Sequence, residues 1–219
     1  MDQQNYFSEL KSFFQKLPGI GPRQASRFIW AILDFTPEEH QKMVETIKSL
    51  PEYLKRCDTC FRIFNLRNKE NKTCSFCAPT SQRDQTKIMV LEKDSDLLNI
   101  ERTGFYTGIY HVLGSTFDPL SENPIVRERI KALHERISEI GKLGNKISVP
   151  EEILFPNFPI EIILALSATK LGEFTAEYIK KVLESLPIKI TRLGRGLSNG
   201  TDLEYADEHT LRQALDNRK

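Results

Sequence analysis

No stretch of this chain is apolar enough for long enough to live in a membrane. The longest unbroken apolar run is the six residues Phe28 to Leu33, against the roughly 20 that a spanning helix needs. The opening residues, MDQQNYFSEL, lack both the basic start and the apolar stretch of a secretory signal. Net charge is missing too. Thirty-one Lys and Arg meet 30 Asp and Glu, leaving +1, so no global field gathers a polyanion, and any such ligand must bind a local patch. Histidine is sparse and scattered at His40, His111, His134 and His209, without HxH or HExxH spacing, which leaves those residues surface or core duty. No serine or cysteine nucleophile signature occurs. Secretion and membrane insertion are excluded as first expectations.

What is present fits a soluble chain of ordinary composition. It has 219 residues, 39% hydrophobic and 28% charged, enough for one large domain or two to three small ones at roughly 100–200 residues each. Basic residues lean slightly toward the front, with 13 Lys and Arg against 10 Asp and Glu in the first 86 residues. All four cysteines fall in a 21-residue window, Cys57, Cys60, Cys74 and Cys77, as C-x2-C-x13-C-x2-C. In a reducing compartment, where disulfides are rare, such paired knuckles usually hold zinc.

The chain divides into four parts: 1–52, 53–86, 87–194 and 195–219. The first reads as helical. Phe7, Leu10, Phe13, Phe14 and Leu17 recur at helical spacing up to Pro18-Gly19, a second helix follows from Pro22 to Leu33, and a third from Pro37 to Leu50. Thr36 with Glu39 forms a capping box for the third. The second part is too short and polar for a core of its own. In the third, strands are expected at Ile88–Leu91, Ile109–Leu113, Ile160–Leu166 and Ile188–Leu193. Helices are expected at Asp94–Arg102, along the stripe Val126, Ile130, Leu133, Ile137 and Ile140, and at Glu173–Leu186. That alternation predicts an α/β domain with a mainly parallel sheet, within an α+β multidomain chain. Gly141 to Pro159 reads as an irregular connection, and the tail as a small segment ending in a helix from Tyr205 to Asn217.

Three features carry chemistry. The first is Leu17-Pro18-Gly19-Ile20-Gly21-Pro22-Arg23 between two helices. Gly19 and Gly21 allow a tight turn, Pro22 suits the first helical position, and the next helix turns its free N–H groups and positive dipole end outward. Arg23 and Arg27 lie four apart on one face, with Ala25, Phe28 and Ile32 as the buried face. This is the helix-hairpin-helix pattern, which grips a nucleic-acid backbone without reading bases. A plain helical hairpin with a solvated arginine face is the alternative.

The second feature is the cysteine block. Four thiolates close a tetrahedral shell with no position open for water, which makes the metal structural. Lys55, Arg56, Arg62, Arg67 and Lys72 would offset the formal −2 of a zinc tetrathiolate. The third is Glu92, at the C-terminal end of the Ile88–Leu91 strand, where acidic groups face the ligand crevice of a parallel sheet. A Mg²⁺ site needs further carboxylates, whereas the next strand's edge reads Ser167-Ala168-Thr169-Lys170. Glu92 is therefore expected to serve structure or a partner contact. Asp202, Glu204 and Asp207 crowd the start of the last helix, as its dipole favours, and Gly194-Arg195-Gly196 is too loose for a dinucleotide loop.

In this order, the glycine turn, the four cysteines and an α/β domain bearing Glu92 resemble the bacterial RecR family of recombination mediators. Ile100-Glu101-Arg102-Thr103-Gly104, Tyr110-His111-Val112-Leu113-Gly114, Gly172-Glu173 with Thr175-Ala176, and Gly200 to Asp207 extend the resemblance over nearly the whole chain. It implies a Toprim-like middle domain, the fold of primases and type II topoisomerases, here without catalysis. It also implies a homo-oligomer, dimer or ring tetramer, that clamps DNA and works with RecO, and often RecF, to load recombinase at single-stranded gaps. One structural zinc per chain and a cytoplasmic, nucleoid-associated setting come with it. Gly19, Gly21, Arg23 and Arg27 match its DNA-contacting turn, the cysteines its zinc ligands, and Glu92 its Toprim glutamate. The family's Asn-Pro-Thr-x-Glu-Gly-Glu run stands here as Ser167 to Glu173, with Leu171 in place of its first acid. Two rivals stay open at this level: a Mg²⁺-dependent nuclease or strand-transferase using Glu92, and a zinc-built scaffold that binds only proteins.

Overall fold

The computed structural model describes residues 4–66, 71–120, 124–144, 160–194, 196–197, 200 and 202–216. They form two compact units, Met1–Leu54 and Lys55–Lys219. The first unit holds α1 (Gln4–Gln15), α2 (Pro22–Leu33) and α3 (Pro37–Tyr53). Thr36 caps α3 as expected, its hydroxyl accepting from Glu39 N while the Glu39 carboxylate accepts from Thr36 N at 2.8 Å. The helix outruns its expected end at Leu50 and absorbs Pro51. A proline in a last turn forfeits one N–H bond without forcing the helix to stop earlier. On α2 the buried pair is Ala25 and Ile29. Phe28 is 42% exposed, contrary to expectation, because its ring meets Phe14 of α1 edge-on instead of entering a core.

The second unit opens with the two-stranded sheet β1 (Leu54–Arg56) and β2 (Ile63–Asn65), followed by β3 (Asp84–Leu91), α4 (Asp94–Thr103), β4 (Gly108–Val112) and α5 (Ile125–Gly144). Then come β5 (Glu161–Ala165), α6 (Lys170–Leu183), β6 (Lys189–Arg192) and α7 (Glu208–Asp216). The main sheet runs β4-β3-β5-β6 with every pair parallel. Residues 141–144, expected to be irregular, continue α5; the rest of that stretch, 145–159, lies outside the described residues. The last helix starts at Glu208, three residues later than expected. Leu203–Tyr205 forms a 3-10 turn instead, and Asp207, not Asp202 or Glu204, heads the helix by accepting from Thr210 N at 3.0 Å.

Strand periodicity sorts the core into two layers. Ile88, Val90, Ile109, Ile162 and Leu164 face α5 and α6, packing on Ile130, Leu133, Ile137, Ala176, Ile179 and Leu183. Met89, Leu91, Tyr110 and Val112 face the other way, toward Leu97 of α4 and Phe76 of the cysteine block. The near-continuous apolar runs of β3 and β4 are what a sheet covered on both faces demands.

Candidate nucleic-acid interface and metal centre

The glycine turn is built by chain geometry alone. After α1, Ile20 N donates to Leu17 O at 3.2 Å, and Gly19 reverses the chain at φ 78°, a left-handed conformation that costs a side chain energy and glycine little. Gly21 differs from expectation: at φ −83° and ψ 172° it is ordinary extended backbone. A Cβ there would touch nothing within 4 Å, so neither conformation nor packing within the chain requires glycine at that point. Pro22 opens α2, the first bond inside the helix is Ala25 N to Gly21 O at 3.0 Å, and no side chain caps the N-terminus. Arg23 and Arg27 are exposed beside it. The result is a turn with uncapped N–H groups, two exposed cations and no side chain at Gly19 or Gly21 to keep another backbone away.

The metal centre is assembled from two knuckles. In the first, Cys57 N donates to Arg62 O at 2.9 Å and Phe61 N returns to Cys57 O at 2.9 Å. In the second, Cys77 N and Ala78 N both donate to Cys74 O, at 3.0 and 2.9 Å. Their four sulfurs lie within 4.8 Å of one another, and three of the four residues are buried. Cys60 Sγ and Cys74 Sγ are 3.6 Å apart, close to the ~3.8 Å edge of a tetrahedron with 2.3 Å metal–sulfur bonds. Cys74 N donates to Cys57 Sγ at 3.3 Å, as expected of a sulfur carrying negative charge. Neighbouring Cys60 and Cys74 push the Cys57 thiol far down, whereas Cys57, Cys74 and Cys77, with burial, push Cys60 far up. Four thiolates packed this closely repel one another and need a cation to coexist. All-sulfur donors in tetrahedral array fit zinc or another soft metal.

Two of the expected counter-charges have partners of their own. Arg56 pairs with Asp94 at 3.6 Å and donates to Phe61 O. The Arg62 guanidinium lies 4.1 Å over the Phe76 ring, and Arg67 is outside the described residues. Among the described residues, the side chain that reaches a cysteine sulfur is Arg136 of α5, with Nη2 donating to Cys77 Sγ at 3.7 Å. Arg129 and Arg136, seven apart on the border of the apolar stripe, were the sequence signal for this inward pair. Phe61 takes φ 60° directly after Cys60, a strained position for an aromatic residue. Its ring is held edge-on to His111 at 5.3 Å and under the Arg129 guanidinium at 5.2 Å. His111 is fully buried, its Nε2–H donating to Arg129 O at 2.8 Å. Burial, then the nearby Arg136 charge, depress it to about 3.

Glu92 is 7% exposed. Its Oε1 accepts from Ser167 N at 2.7 Å and Ser167 Oγ at 2.5 Å, which ties the end of β3 to the loop after β5. Ser167 was missed as a site residue because nothing local marks it. Thr169 then caps α6, accepting from Gly172 N at 3.1 Å. Among the described residues, the four cysteines are the side-chain cluster able to hold a metal, and no helix is long and apolar enough to cross a membrane.

Comparison with known proteins agrees with this architecture. The Toprim domain model matches residues 86–194, and the model for the RecR C-terminal region matches 196–219. The chain is 36% identical over 211 residues to the recombination protein RecR of Paenarthrobacter aurescens, covering 96% of this chain and 94% of that one. The chain belongs to the RecR family. RecR of Dehalococcoides mccartyi is 35% identical over 204 residues, 93% of this chain and 89% of its own. RecR of Geobacter metallireducens is 34% identical over 218 residues, 100% of this chain and 98% of its own. The matched models run in the order Toprim domain, then RecR C-terminal region, and the four-cysteine cluster precedes both.

Proposed function

We propose that this RecR-family chain is a non-catalytic DNA clamp in recombinational repair, with the Gly19–Arg27 turn as its phosphate-gripping surface. The observation that carries the reading is the vacant space at Gly21, where a side chain would meet nothing in the chain yet would obstruct an approaching sugar-phosphate strand. N–H groups at the α2 N-terminus and the Arg23 and Arg27 guanidinium groups supply contacts that hold DNA without specifying sequence. One turn makes few contacts, so useful affinity comes from several copies linked in a dimer or ring tetramer. The apolar surface of the first unit supports self-association: α3 has no buried residue, and Trp30, Leu33 and Val44 are 58%, 68% and 65% exposed.

One zinc per chain, on Cys57, Cys60, Cys74 and Cys77, holds the cysteine module. A RecO-type protein, often together with a RecF-type one, is the partner in loading recombinase at single-stranded gaps. Glu92 serves that contact by shaping the Ser167 loop; with Oε1 occupied and Lys170 opening the helix that follows, the site disfavours a divalent cation and hence nuclease or strand-transfer chemistry. Gel-shift titration at low salt tests the clamp. Arg23→Glu with Arg27→Glu weakens binding at least about 100-fold and flattens the salt slope, with zinc content and circular dichroism unchanged. Undiminished binding by that double variant sinks the assignment.

A further inference from the structure

We propose that Arg136 is the outer-sphere partner of the metal–tetrathiolate centre, so that metal binding and seating of the cysteine module on the edge of the α/β sheet are one event. This role of Arg136 rests on the zinc reading above, and the residue lies 59 positions from its sulfur partner in sequence.

The strand β4 is the edge of the parallel sheet, so its outer backbone groups need cover, and all five of its residues are buried. Both knuckles attach to it, at residues two apart. From the first knuckle, Cys60 O accepts from Val112 N at 2.8 Å. From the second, the link passes through Arg136: Nη1 donates to Tyr110 O at 2.9 Å while Nη2 donates to Cys77 Sγ at 3.7 Å. Arg136 is itself only 9% exposed, so a cation has been buried to make this bridge, and burial of a charge is costly unless it is paired. The carbonyl satisfies one edge of the planar guanidinium but contributes no full charge. A zinc tetrathiolate, formally −2, supplies the missing anion. A single fork thus joins α5, β4 and Cys77, and the guanidinium's rigid geometry suits it to two acceptors at once in a way an ammonium does not.

Outer-sphere donors of this kind orient ligands and tune the metal, and their removal commonly costs 10–100-fold in metal affinity. Arg136 is accordingly a positioning residue, acting through Cys77. An N–H donor draws electron density from the sulfur and so raises the energy of sulfur-to-metal charge transfer. In full-length protein loaded with cobalt(II), Arg136→Met moves the sulfur-to-cobalt charge-transfer band to lower energy. The same variant, loaded with zinc, surrenders it to a chromogenic chelator at least about tenfold faster than the wild type. Arg136→Lys gives an intermediate release rate, and Lys131→Met, on the solvent face of the same helix, changes neither readout. A folded Arg136→Met protein with the wild-type band and release rate overturns the proposal. Should that variant not fold, Arg136→Lys decides alone, and an unshifted band with unchanged release overturns it equally. Wild-type protein that takes up neither cobalt nor zinc removes the metal reading itself, whereas uptake indifferent to Arg136 removes this inference only.

Discussion

The two units of this chain are stabilised in opposite ways. Among its described residues, Met1–Leu54 carries two buried hydrophobic residues, Ala25 and Ile29, on three helices, and leaves Trp30, Leu33, Val44 and Ile47 more than half exposed. Lys55–Lys219 buries both faces of its sheet and ties its cysteine module down with cross-links that are polar and specific. Arg83 bridges Glu101 at 2.5 Å, donates to Gly108 O at 3.0 Å and stacks on Phe76 at 3.8 Å, while the Tyr110 hydroxyl also reaches Glu101. The second unit is self-sufficient once its metal is bound. The first spends its apolar residues on a surface and relies for order on turns, caps and whatever covers that surface. The proposed clamp would have reason to be made this way: the part that holds its shape is kept dry, and the part that would meet ligand and sister subunits is kept accessible.

The sharpest way to test that contrast is to take the metal away. Structural zinc in small modules contributes of order 10 kcal/mol, so Cys57→Ser, or stripping by a strong chelator, should collapse the second unit and yield insoluble or monomeric protein. Metal analysis finding well under one equivalent of zinc in soluble, folded wild-type protein would contradict this. Next in size are core truncations. Leu133→Ala, at a fully buried position, should cost about 2–5 kcal/mol in denaturant melts, while Val44→Ala on α3 should stay within about 0.5 kcal/mol for the dissociated subunit. Equal losses would erase the distinction between the units.

A smaller effect follows from His111, depressed from 6.5 to about 3 by burial. The fold holds this ring neutral while the unfolded chain protonates it below 6.5. Its contribution is therefore complete above that pH and declines as pH falls toward 3, by up to about 1.4 kcal/mol per unit. Acid titration of wild type against His111→Gln should show a steeper decline for the wild type; parallel curves would refute the assignment. Smallest is Thr36→Ala, which should lower the stability of the first unit by about 1 kcal/mol through its cap and leave zinc release untouched.

The order of strands and helices, the capping box, the glycine turn and the four cysteines were legible because each is signalled locally. Periodicity, φ-restricted residues and CxxC pairs act over a few positions, and the backbone obeys them wherever the segment ends up. The reading failed where two local patterns compete or none applies. Phe28 and Ile29 are both apolar on α2, and α1 decided which was buried. Proline marked a stop at Leu50 that the last turn of α3 overrode. At Gly21 the residue type was read correctly as part of a turn, but its conformation is unstrained.

By itself, then, the chain specified which residues could ligate a soft metal, where it would twist sharply, and that a covered parallel sheet would form. Only folding in three dimensions brought Arg136 to Cys77 while Arg56 and Arg62 took other partners, gave Ser167 to Glu92, and set His111 against Phe61. Such partners stand tens of residues apart, and what selects them is shared exclusion from water: a buried charge or polar atom takes whichever complementary group the packing of helix on sheet delivers.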